Sequence, residues 1–500
     1  MTDKILFWID NYLTYFGIAK SLQLTYDFEA FAIIEIPERP KLFFQQQQIV
    51  KFQKTWYFHE HVIKSKKPDL DYLKDFEERY RINLWLLAYN ERIFYNYNEL
   101  YKFSEDEVLS IVEQECKLFE KILNEVNPDF IIMKTTDLHY HKLFHSICKA
   151  RGIKILMLRH IRFGGRCVIS HDMETIDSLE KFMESSCKER TYDELQKFLK
   201  GVDYYKVISD YTNSFMASKK SLIKAILKFL FSDYSSIKKN FTYSGRTKFK
   251  VLWLHFKWIF IEKSRQFFID KKFVRDIDLK TPFIYYPLHV QIESVLLIGA
   301  PFLTNQLETI THIVKSMPVG YQLYVKDAPM NKGRGWRDLP FYNAIMKLPN
   351  VKLLHPSVNP IEIIKNCSLV VSVSGTTALE AAFYEKPSIV FVDTDFSILP
   401  SVYKLNSIEE LPNAIRLSLK KSIDITPLQK YVNFIENNSF LLDDFKLLQE
   451  SDRMFYYGGF LQDVYLKDDD VISFLEKFES DFQLLALEHI KKIKQYKNHE

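Results

Sequence analysis

The second half of the sequence alternates short apolar stretches with segments of helical periodicity. Five strand-like stretches lie there, separated by helical segments and short loops: Phe283–Tyr286, Gln322–Val325, Val351–Leu354, Leu369–Val373 and Ser388–Val392. Parallel strands require crossover connections of this kind, and their apolar runs are continuous because helices cover both faces of the sheet. The alternation therefore predicts a Rossmann-like domain over residues 279–424.

The first half shows the same alternation less regularly. Its strand-like stretches are Ile5–Ile9, Phe31–Ile36, Phe130–Met133 and Ile153–Leu158. Helical segments connect the first strand to the second and the third to the fourth, as in a βαβ unit. We therefore predict an α/β protein with two Rossmann-like domains. Its expected parts are an N-terminal domain over 1–205 with a helical insertion at about 41–126, a basic helical connector over 206–278, the domain over 279–424, and C-terminal helices over 425–500.

Length and composition exclude several classes of protein. A chain of 500 residues is too long for one ordinary core, and 47% apolar with 26% charged residues is globular composition. No run of about 18 uncharged apolar residues is present, and the first residues lack the basic stretch and cleavage site of a secretory signal. The five cysteines are scattered and form no CxxC pair, which argues against disulfides and a zinc site. We expect a cytoplasmic protein without a bound metal or cofactor.

The net charge of +4 conceals a strongly basic segment. The segment from Ala217 to Arg275 contains fifteen Lys and Arg residues and three acidic residues, so its net charge is +12. The rest of the chain therefore has a net charge of −8. Aromatic residues are interleaved with these charges, which is typical of a segment that lies on an anionic membrane. A solvated basic face on helices whose aromatics fill a core explains the same composition. No nucleic-acid-binding motif accompanies the charge, so we expect no nucleic acid partner.

The run SVSGTT directly follows the strand that begins at Leu369 and directly precedes a helix. Backbone N–H groups and hydroxyls converge in such a turn, which makes it a candidate anion site. Gly375 lets the backbone approach a phosphate without a Cβ, and Glu380 could accept hydrogen bonds from a ribose. An ordinary capped helix with nothing bound explains the same pattern. The candidate donor-binding residues here are Ser372, Ser374, Gly375, Thr376, Thr377 and Glu380.

The run SVSGTTALEAAFYEKPSIVF resembles the donor-binding turn and helix of bacterial capsule polysaccharide biosynthesis proteins. That family includes the Kdo transferases of capsule and lipopolysaccharide assembly, which have a two-domain GT-B architecture. YYPLHVQIES, LYVKDAPM and LPNVKLLHPSVNPIEIIKNCSLVV agree with the family in order and spacing. The resemblance covers about residues 280–410 well and the N-terminal half only in outline.

The resemblance implies roles for further residues at the donor site. Lys326 occupies the lysine of the family's Val-Lys-x-His-Pro pattern and would lie near the nucleotide. This chain has Ala328 where the family has histidine, and His355 in a later loop is a candidate to replace it. The loop after the strand at Phe283 would lie at the interdomain cleft, where His289, Gln291 and Glu293 would recognise the donor sugar.

Catalysis requires a carboxylate or imidazole that faces the donor from the N-terminal domain. Asp137 and Asp10 follow predicted strands, at the sheet edge where open α/β domains bind ligands, and Asp137 is the first candidate. An anionic sugar or acceptor could be bound by the arginines around a glycine pair, Arg159, Arg162 and Arg166.

These features together predict a glycosyltransferase. It would move a sugar from a nucleotide-sugar donor, CMP-Kdo-like among the candidates, to a surface polysaccharide or its lipid-linked precursor. The enzyme is expected to lie on the inner face of the cytoplasmic membrane through residues 217–275. Two alternatives remain open from the sequence: a nucleotide-sugar 2-epimerase, and an inactive membrane-associated homologue in capsule assembly.

Overall fold

The computed structural model describes residues 2–63, 67–95, 98–161, 164–200, 219–231, 240–290, 293–329, 331 and 336–498. Two sheets form the framework, one in each half of the chain. The N-terminal sheet has the order β13-β6-β5-β4-β1-β2-β3, and the C-terminal sheet has the order β12-β11-β10-β7-β8-β9. The prediction of two Rossmann-like domains is therefore confirmed.

The strands of the N-terminal sheet are mostly buried on both faces. Strands β1 to β5 are parallel, while β6 is antiparallel to both of its neighbours. The strands are β1 (Asp3–Ile9), β2 (Phe28–Ile34), β3 (Lys54–Tyr57), β4 (Phe130–Met133), β5 (Lys154–Ile161), β6 (Arg166–Ser170) and β13 (Phe440–Leu441).

All six strands of the C-terminal sheet are parallel. Numbered from the first strand of this domain, their spatial order is 3-2-1-4-5-6, which is the Rossmann order with its reversal between the first and the fourth strand. The strands are β7 (Phe283–Pro287), β8 (Gln322–Lys326), β9 (Val351–Leu354), β10 (Leu369–Ser372), β11 (Ser388–Val390) and β12 (Val402–Lys404).

The described α-helices connect and cover these strands. Up to the connector they are α1 (Thr14–Thr25), α2 (Glu38–Gln46), α3 (Phe58–His61), α4 (Leu70–Tyr80), α5 (Leu84–Tyr89), α6 (Glu105–Val126), α7 (His139–Ala150) and α8 (Tyr192–Lys200). The connector contains α9 (Lys219–Phe231) and α10 (Lys248–Lys272). The remaining helices are α11 (Ser294–Leu297), α12 (Gln306–Ser316), α13 (Leu339–Met346), α14 (Pro360–Asn366), α15 (Thr377–Ala382), α16 (Leu411–Leu419), α17 (Thr426–Asn438), α18 (Asp444–Met454), α19 (Asp468–Lys477) and α20 (Glu479–Lys497).

Three details differ from the sequence-based expectation. The insertion at 41–126 is not wholly helical, because it contains the edge strand β3. Strands β6, β12 and β13 were not predicted, since each is short or pairs with a strand far away in the chain. The second strand occupies Phe28–Ile34 rather than Phe31–Ile36.

The C-terminal helices return to the N-terminal sheet and complete its core. Helices α18 to α20 bury apolar side chains in the same cluster as β1, β2 and α1. The approach of α20 to α1 is very close: a Cβ on Gly17 would lie 2.4 Å from the ring of Phe482. Only glycine permits this contact, so α1 and α20 are matched to one another. No helix among the described residues is long and apolar enough to cross a bilayer.

We predict that Phe482→Ala lowers the free energy of unfolding by about 3–5 kcal/mol, because the ring is buried and leaves a cavity beside Gly17. The matched control is Leu487→Ala on the same helix, where the side chain is 58% exposed and the expected change is within about 0.5 kcal/mol. Urea denaturation of both variants measures the difference. Equal small losses would show that α20 does not belong to the core.

Candidate functional site

The first feature of the site is the meeting of two loops at the strand-order reversal of the C-terminal sheet. Strands β7 and β10 are neighbours there, and the loops that follow them touch. Nε2 of His289 lies 3.1 Å from Oγ of Ser372, and this oxygen accepts the N–H of Gly375 at 3.0 Å. A Cβ on Gly375 would lie 2.7 Å from Ser372 Oγ and 3.0 Å from Cε1 of His289. The contact therefore depends on glycine at this position.

The backbone of His289 is held from two sides. Its N–H donates to Oε1 of Gln306 at 2.7 Å, and its carbonyl accepts from Nε2 of the same amide at 3.1 Å. The carbonyl also accepts a hydrogen bond from the guanidinium of Arg337, whose Nε lies 3.4 Å from Oδ2 of Asp327. Gln306, Arg337 and Asp327 are all buried. The imidazole is thus presented from a fixed backbone.

Lys326 is the most unusual ionisable group at this edge. It ends β8 and is only 4% exposed, and its ammonium group has no hydrogen-bond or ion-pair partner among the described residues. Burial lowers its pKa to about 8, while the neighbouring carboxylate of Asp327 acts in the opposite direction. An ammonium group with little contact with water and no protein partner is a candidate ligand for an anion.

A hydroxyl in the turn is also unsatisfied. Oγ of Ser374 is buried and has no hydrogen-bond partner in the part of the chain that the structure describes. Buried hydroxyls nearly always have a partner, so an orphan beside the Gly375 backbone is informative. Ser374 and Lys326 offer unused donors at the same edge of one sheet.

The other predicted donor-side residues are less directly engaged. Thr376 donates to Oε1 of Glu380 at 3.4 Å, and Thr377 is buried as the first residue of α15. This helix has only six residues, so its dipole adds little to anion binding. Glu293 precedes α11 and is partly exposed, and Gln291 lies outside the described residues.

His355 does not share this environment, so its prediction as a donor ligand is not supported by the structure. It follows β9, where its Nε2 lies 2.9 Å from Oδ1 of Asp270 and its Nδ1 contacts Oγ of Ser357 at 2.5 Å. Both ring nitrogens are occupied by protein groups. These contacts join the end of the connector helix α10 to the C-terminal sheet.

A second polar edge lies at the corresponding reversal of the N-terminal sheet, where β1 and β4 are neighbours. Nζ of Lys134 lies 3.1 Å from Oδ2 of Asp10, and Oδ1 of Asp10 accepts the N–H of Tyr12. Burial alone would lower the pKa of Lys134, but the carboxylates of Asp10 and Glu35 outweigh it and raise this pKa. Asp10 therefore serves as the partner of Lys134, which the sequence did not reveal.

Asp137 lies where the two domains meet. Its Oδ1 accepts from the hydroxyl of Thr135 at 3.2 Å, and the hydroxyl of Ser294 lies 3.5 Å from the same atom. Ser294 belongs to the C-terminal domain and begins α11 directly after the loop that contains His289. The carboxylate is partly exposed, so it faces both the cleft and the donor-side loop.

A buried triad fixes the loop that carries Asp137. His139 lies between two carboxylates, with Nδ1 at 2.8 Å from Glu91 and Nε2 at 3.0 Å from Glu115. Burial would lower the pKa of His139, but Glu115 and Glu91 outweigh it and raise the pKa to about 10. Arg92, next to Glu91, donates to the carbonyl of Asp137 at 2.6 Å. The insertion therefore positions the candidate catalytic loop.

The arginines predicted to bind an anion have other partners. Arg159 pairs with Asp395 of the C-terminal domain at 2.8 Å, and Arg166 donates to Oγ of Ser439 at 2.7 Å. Both guanidinium groups are used to hold separate parts of the chain together, so the prediction of an anion site is corrected for these two. Arg162 lies outside the described residues.

One group of potential metal ligands occurs among the described residues. Donor atoms of His160, Cys167 and Asp444 lie within 4.8 Å of one another. Burial raises the pKa of the Cys167 thiol well above its ordinary value, so the thiol keeps its proton. Nδ1 of His160 lies 2.9 Å from Asp444, as in an ordinary hydrogen bond between β5 and α18. We assign no metal to this group.

Several solved structures resemble the chain, all at low identity. UDP-GlcNAc 2-epimerase from Methanocaldococcus jannaschii is 13% identical, with 87% of this chain and 98% of that chain covered and a TM-score of 0.27. KpsC from Thermosulfurimonas dismutans, a beta Kdo 2,7 transferase, is 11% identical, with 63% and 79% covered and a TM-score of 0.29. The N-terminal domain of Candida albicans trehalose-6-phosphate phosphatase is 11% identical, with 97% of both chains covered and a TM-score of 0.29. Scores this low add nothing to the fold, which rests on the strand order.

The comparison of sequences is more specific. No curated protein matches the chain. The model of the family described as capsule polysaccharide biosynthesis protein matches residues 205–399, which include the described connector helices and β7 to β11. The resemblance seen in the donor-side motifs is therefore confirmed over the matched residues 205–399.

Proposed function

We propose that this protein is a glycosyltransferase that moves a sugar from a nucleotide-sugar donor to a surface polysaccharide or its lipid-linked precursor. One observation carries the proposal: the reversal point of the C-terminal sheet combines the Gly375 turn with Lys326, a buried lysine that has no partner among the described residues. Phosphates bind at this position in doubly wound folds. The match to the capsule family supports the role in polysaccharide assembly.

The strand register supports a shared phosphate site for Lys326 and the turn. Lys326 pairs with Pro287, and Leu369 pairs with Ile284 on the other side of β7. Continuing this register puts Ser372 opposite Pro287, so Ser372 and Lys326 are two strand spacings apart, about 9.5 Å, and point to the same face. A diphosphate between them could contact the ammonium group on one side and the turn on the other.

The N-terminal domain supplies the catalytic group in this proposal. Asp137 is partly exposed and contacts Ser294, the residue after the donor-side loop. A donor phosphate at the Gly375 turn would leave its sugar in the cleft between this turn and Asp137. Asp137 would then accept the proton of the acceptor hydroxyl, while Asp10 keeps Lys134 in place.

We also propose that the connector holds the enzyme on an anionic membrane. Trp253 and Phe256 on α10 are 61% and 60% exposed, so these aromatics do not fill a core. Lysines lie on the same helix, including Lys250 and Lys263. An exposed aromatic and basic helix is suited to the interface of a bilayer, where a lipid-linked acceptor would be found.

Lys326→Met should weaken donor binding by roughly 10–150-fold, because a hydrogen bond to a charged group contributes about 1.5–3 kcal/mol. In the wild type, affinity should fall as pH rises through about 8, since the folded-state lysine then loses the proton that attracts phosphate. The variant should lack this pH dependence. Calorimetry with CMP-, UDP-, GDP- and CDP-sugars at pH 6.5 and 9 measures both effects. Lys352→Met, on the adjacent strand β9, is the control; donor binding unaffected by Lys326→Met would contradict the site.

Ser374→Ala should separate stability from binding. Removal of a buried hydroxyl without a partner should raise the free energy of unfolding by about 1 kcal/mol, while the loss of a donor to phosphate should weaken nucleotide-sugar binding by roughly 3–10-fold. The control is Ser388→Ala, because Oγ of Ser388 donates to the carbonyl of Ala378 at 2.8 Å and has only a structural use. That variant should lose stability and keep donor affinity. If Ser374→Ala lowers the stability and leaves the affinity for nucleotide-sugar unchanged, the turn only caps the helix and does not bind the donor.

Asp137→Asn should reduce sugar transfer by roughly 10²–10⁴-fold and leave the affinity for donor unchanged, because the carboxylate acts on the acceptor. Transfer of labelled sugar from the donor to a membrane-fraction glycan measures the rate, and the products are identified by mass spectrometry. Conversion of the donor sugar to its epimer without acceptor would instead support a 2-epimerase. Full transfer by the variant would contradict the assignment of Asp137.

A further inference from the structure

A cavity of about 310 Å³ lies between the two described connector helices. None of the residues that line it is a candidate residue of the donor site. Helix α9 lines it with apolar side chains, and α10 lines the opposite side; the residues are Leu222, Ala225, Phe229, Val251 and Leu252. The loop at 459–463 closes a third side. This volume is at the lower end of the range for small-molecule sites, and its walls are mostly apolar.

Two basic side chains of the cavity lining are exposed to solvent. Arg246 and His255 line it and are exposed, and the guanidinium of Arg246 lies over the ring of Tyr243 at 5.2 Å without a carboxylate partner among the described residues. The one acid of the lining, Asp463, is neutralised by Arg39 at 3.1 Å. An apolar chamber with an unpaired cation at its mouth fits a ligand that has an apolar tail and an anionic head.

The outer faces of the same helices are apolar as well. On α10, Phe249, Trp253, Phe256 and Phe260 recur every three or four residues and are 60–78% exposed. Residues at this spacing form one stripe along a helix, and α9 adds Phe231, which is 86% exposed. Exposed apolar surface of this extent marks an interaction site. The cavity and the exposed stripe therefore belong to the same pair of helices.

We propose that this cavity binds one hydrocarbon chain of an anionic membrane lipid, with Arg246 at its head group. This inference rests on the proposed membrane attachment and adds a defined lipid site to it. The charge of +12 over residues 217–275 favours an anionic head group over a neutral one. Chain insertion would anchor the connector in addition to the surface attraction of its lysines.

Dodecyl phosphate below its micelle concentration is the probe, because it has one chain and one anionic head. Calorimetry should show one molecule bound per protein, with weaker binding of neutral dodecyl maltoside and no binding of inorganic phosphate at the same concentrations. Arg246→Gln should lower the affinity for dodecyl phosphate at least fivefold and change that for dodecyl maltoside little. Equal binding of the charged and the neutral probe would overturn the role of Arg246.

Two cavity-filling variants test the chain site from opposite sides. Ala225→Phe on α9 and Val251→Trp on α10 should each weaken dodecyl phosphate binding at least tenfold, and thermal melting checks that each variant is folded. Ile223→Phe is the matched control. Ile223 lies on α9 and is 57% exposed, so this substitution adds the same ring outside the cavity. Wild-type affinity in either folded filling variant would overturn the chain site.

Vesicle flotation separates this inference from the proposed membrane attachment. Combined Lys250→Glu, Lys263→Glu and Lys271→Glu should release the protein from vesicles that contain phosphatidylglycerol, yet leave dodecyl phosphate bound. The filling variants should still reach these vesicles at low salt and detach at a lower salt concentration than the wild type. Flotation of the wild type with no binding of dodecyl phosphate would overturn the cavity site alone. Absence of both would overturn the attachment as well.

Discussion

The donor-side geometry depends on a single buried carboxylate, that of Asp327. It accepts hydrogen bonds from the hydroxyl of Tyr342 at 2.6 Å and from the amide of Asn331 at 2.5 Å, and it pairs with Arg337 at 3.4 Å. Arg337 in turn holds the carbonyl of His289. Removal of one partner from such a buried pair leaves an uncompensated charge, so the network is coupled. Asp327 therefore fixes the His289 loop and also stands beside Lys326, the proposed phosphate ligand.

Each of the two sheets contributes one polar edge to the proposed function. Each reverses its strand order once, and each presents a lysine at that edge, Lys326 in the C-terminal sheet and Lys134 in the N-terminal sheet. Only the second is paired with a carboxylate of its own domain. In the proposed function the unpaired lysine would attract the anionic donor, and Lys134 with Asp10 would stabilise the edge that carries Asp137, whose carboxylate lies near Ser294.

The sequence predicted those parts of the fold that are determined locally. Strands such as Leu369–Ser372 are continuous apolar runs because both faces are buried, and such runs are visible in the sequence. The edge strand Lys54–Tyr57 has one side chain fully buried and lacks this signal. Strand β13 has two residues and pairs with β6 more than 260 residues earlier, so only the tertiary structure produces it.

The same division applies to the site. The SVSGTT turn was predicted because glycine, hydroxyls and a strand end are adjacent in sequence, whereas the role of the His289 loop was implied by the family resemblance. Ion pairs were not predictable, since Lys134 and Asp10 are 124 residues apart and Arg159 and Asp395 are 236 residues apart. A lysine directly after an apolar strand, as at Lys134, is the signal that could have indicated a partner for Asp10.

The proposed function requires that the reversal point of the C-terminal sheet binds the phosphate of a nucleotide-sugar. A crystal structure of the protein soaked with CMP, UDP or GDP tests this most directly. We expect the phosphate between Nζ of Lys326 and the backbone of Ser374 and Gly375, with the hydroxyl of Ser374 as a donor. A nucleotide bound at the Asp10 and Lys134 edge, with the C-terminal turn empty, would contradict it.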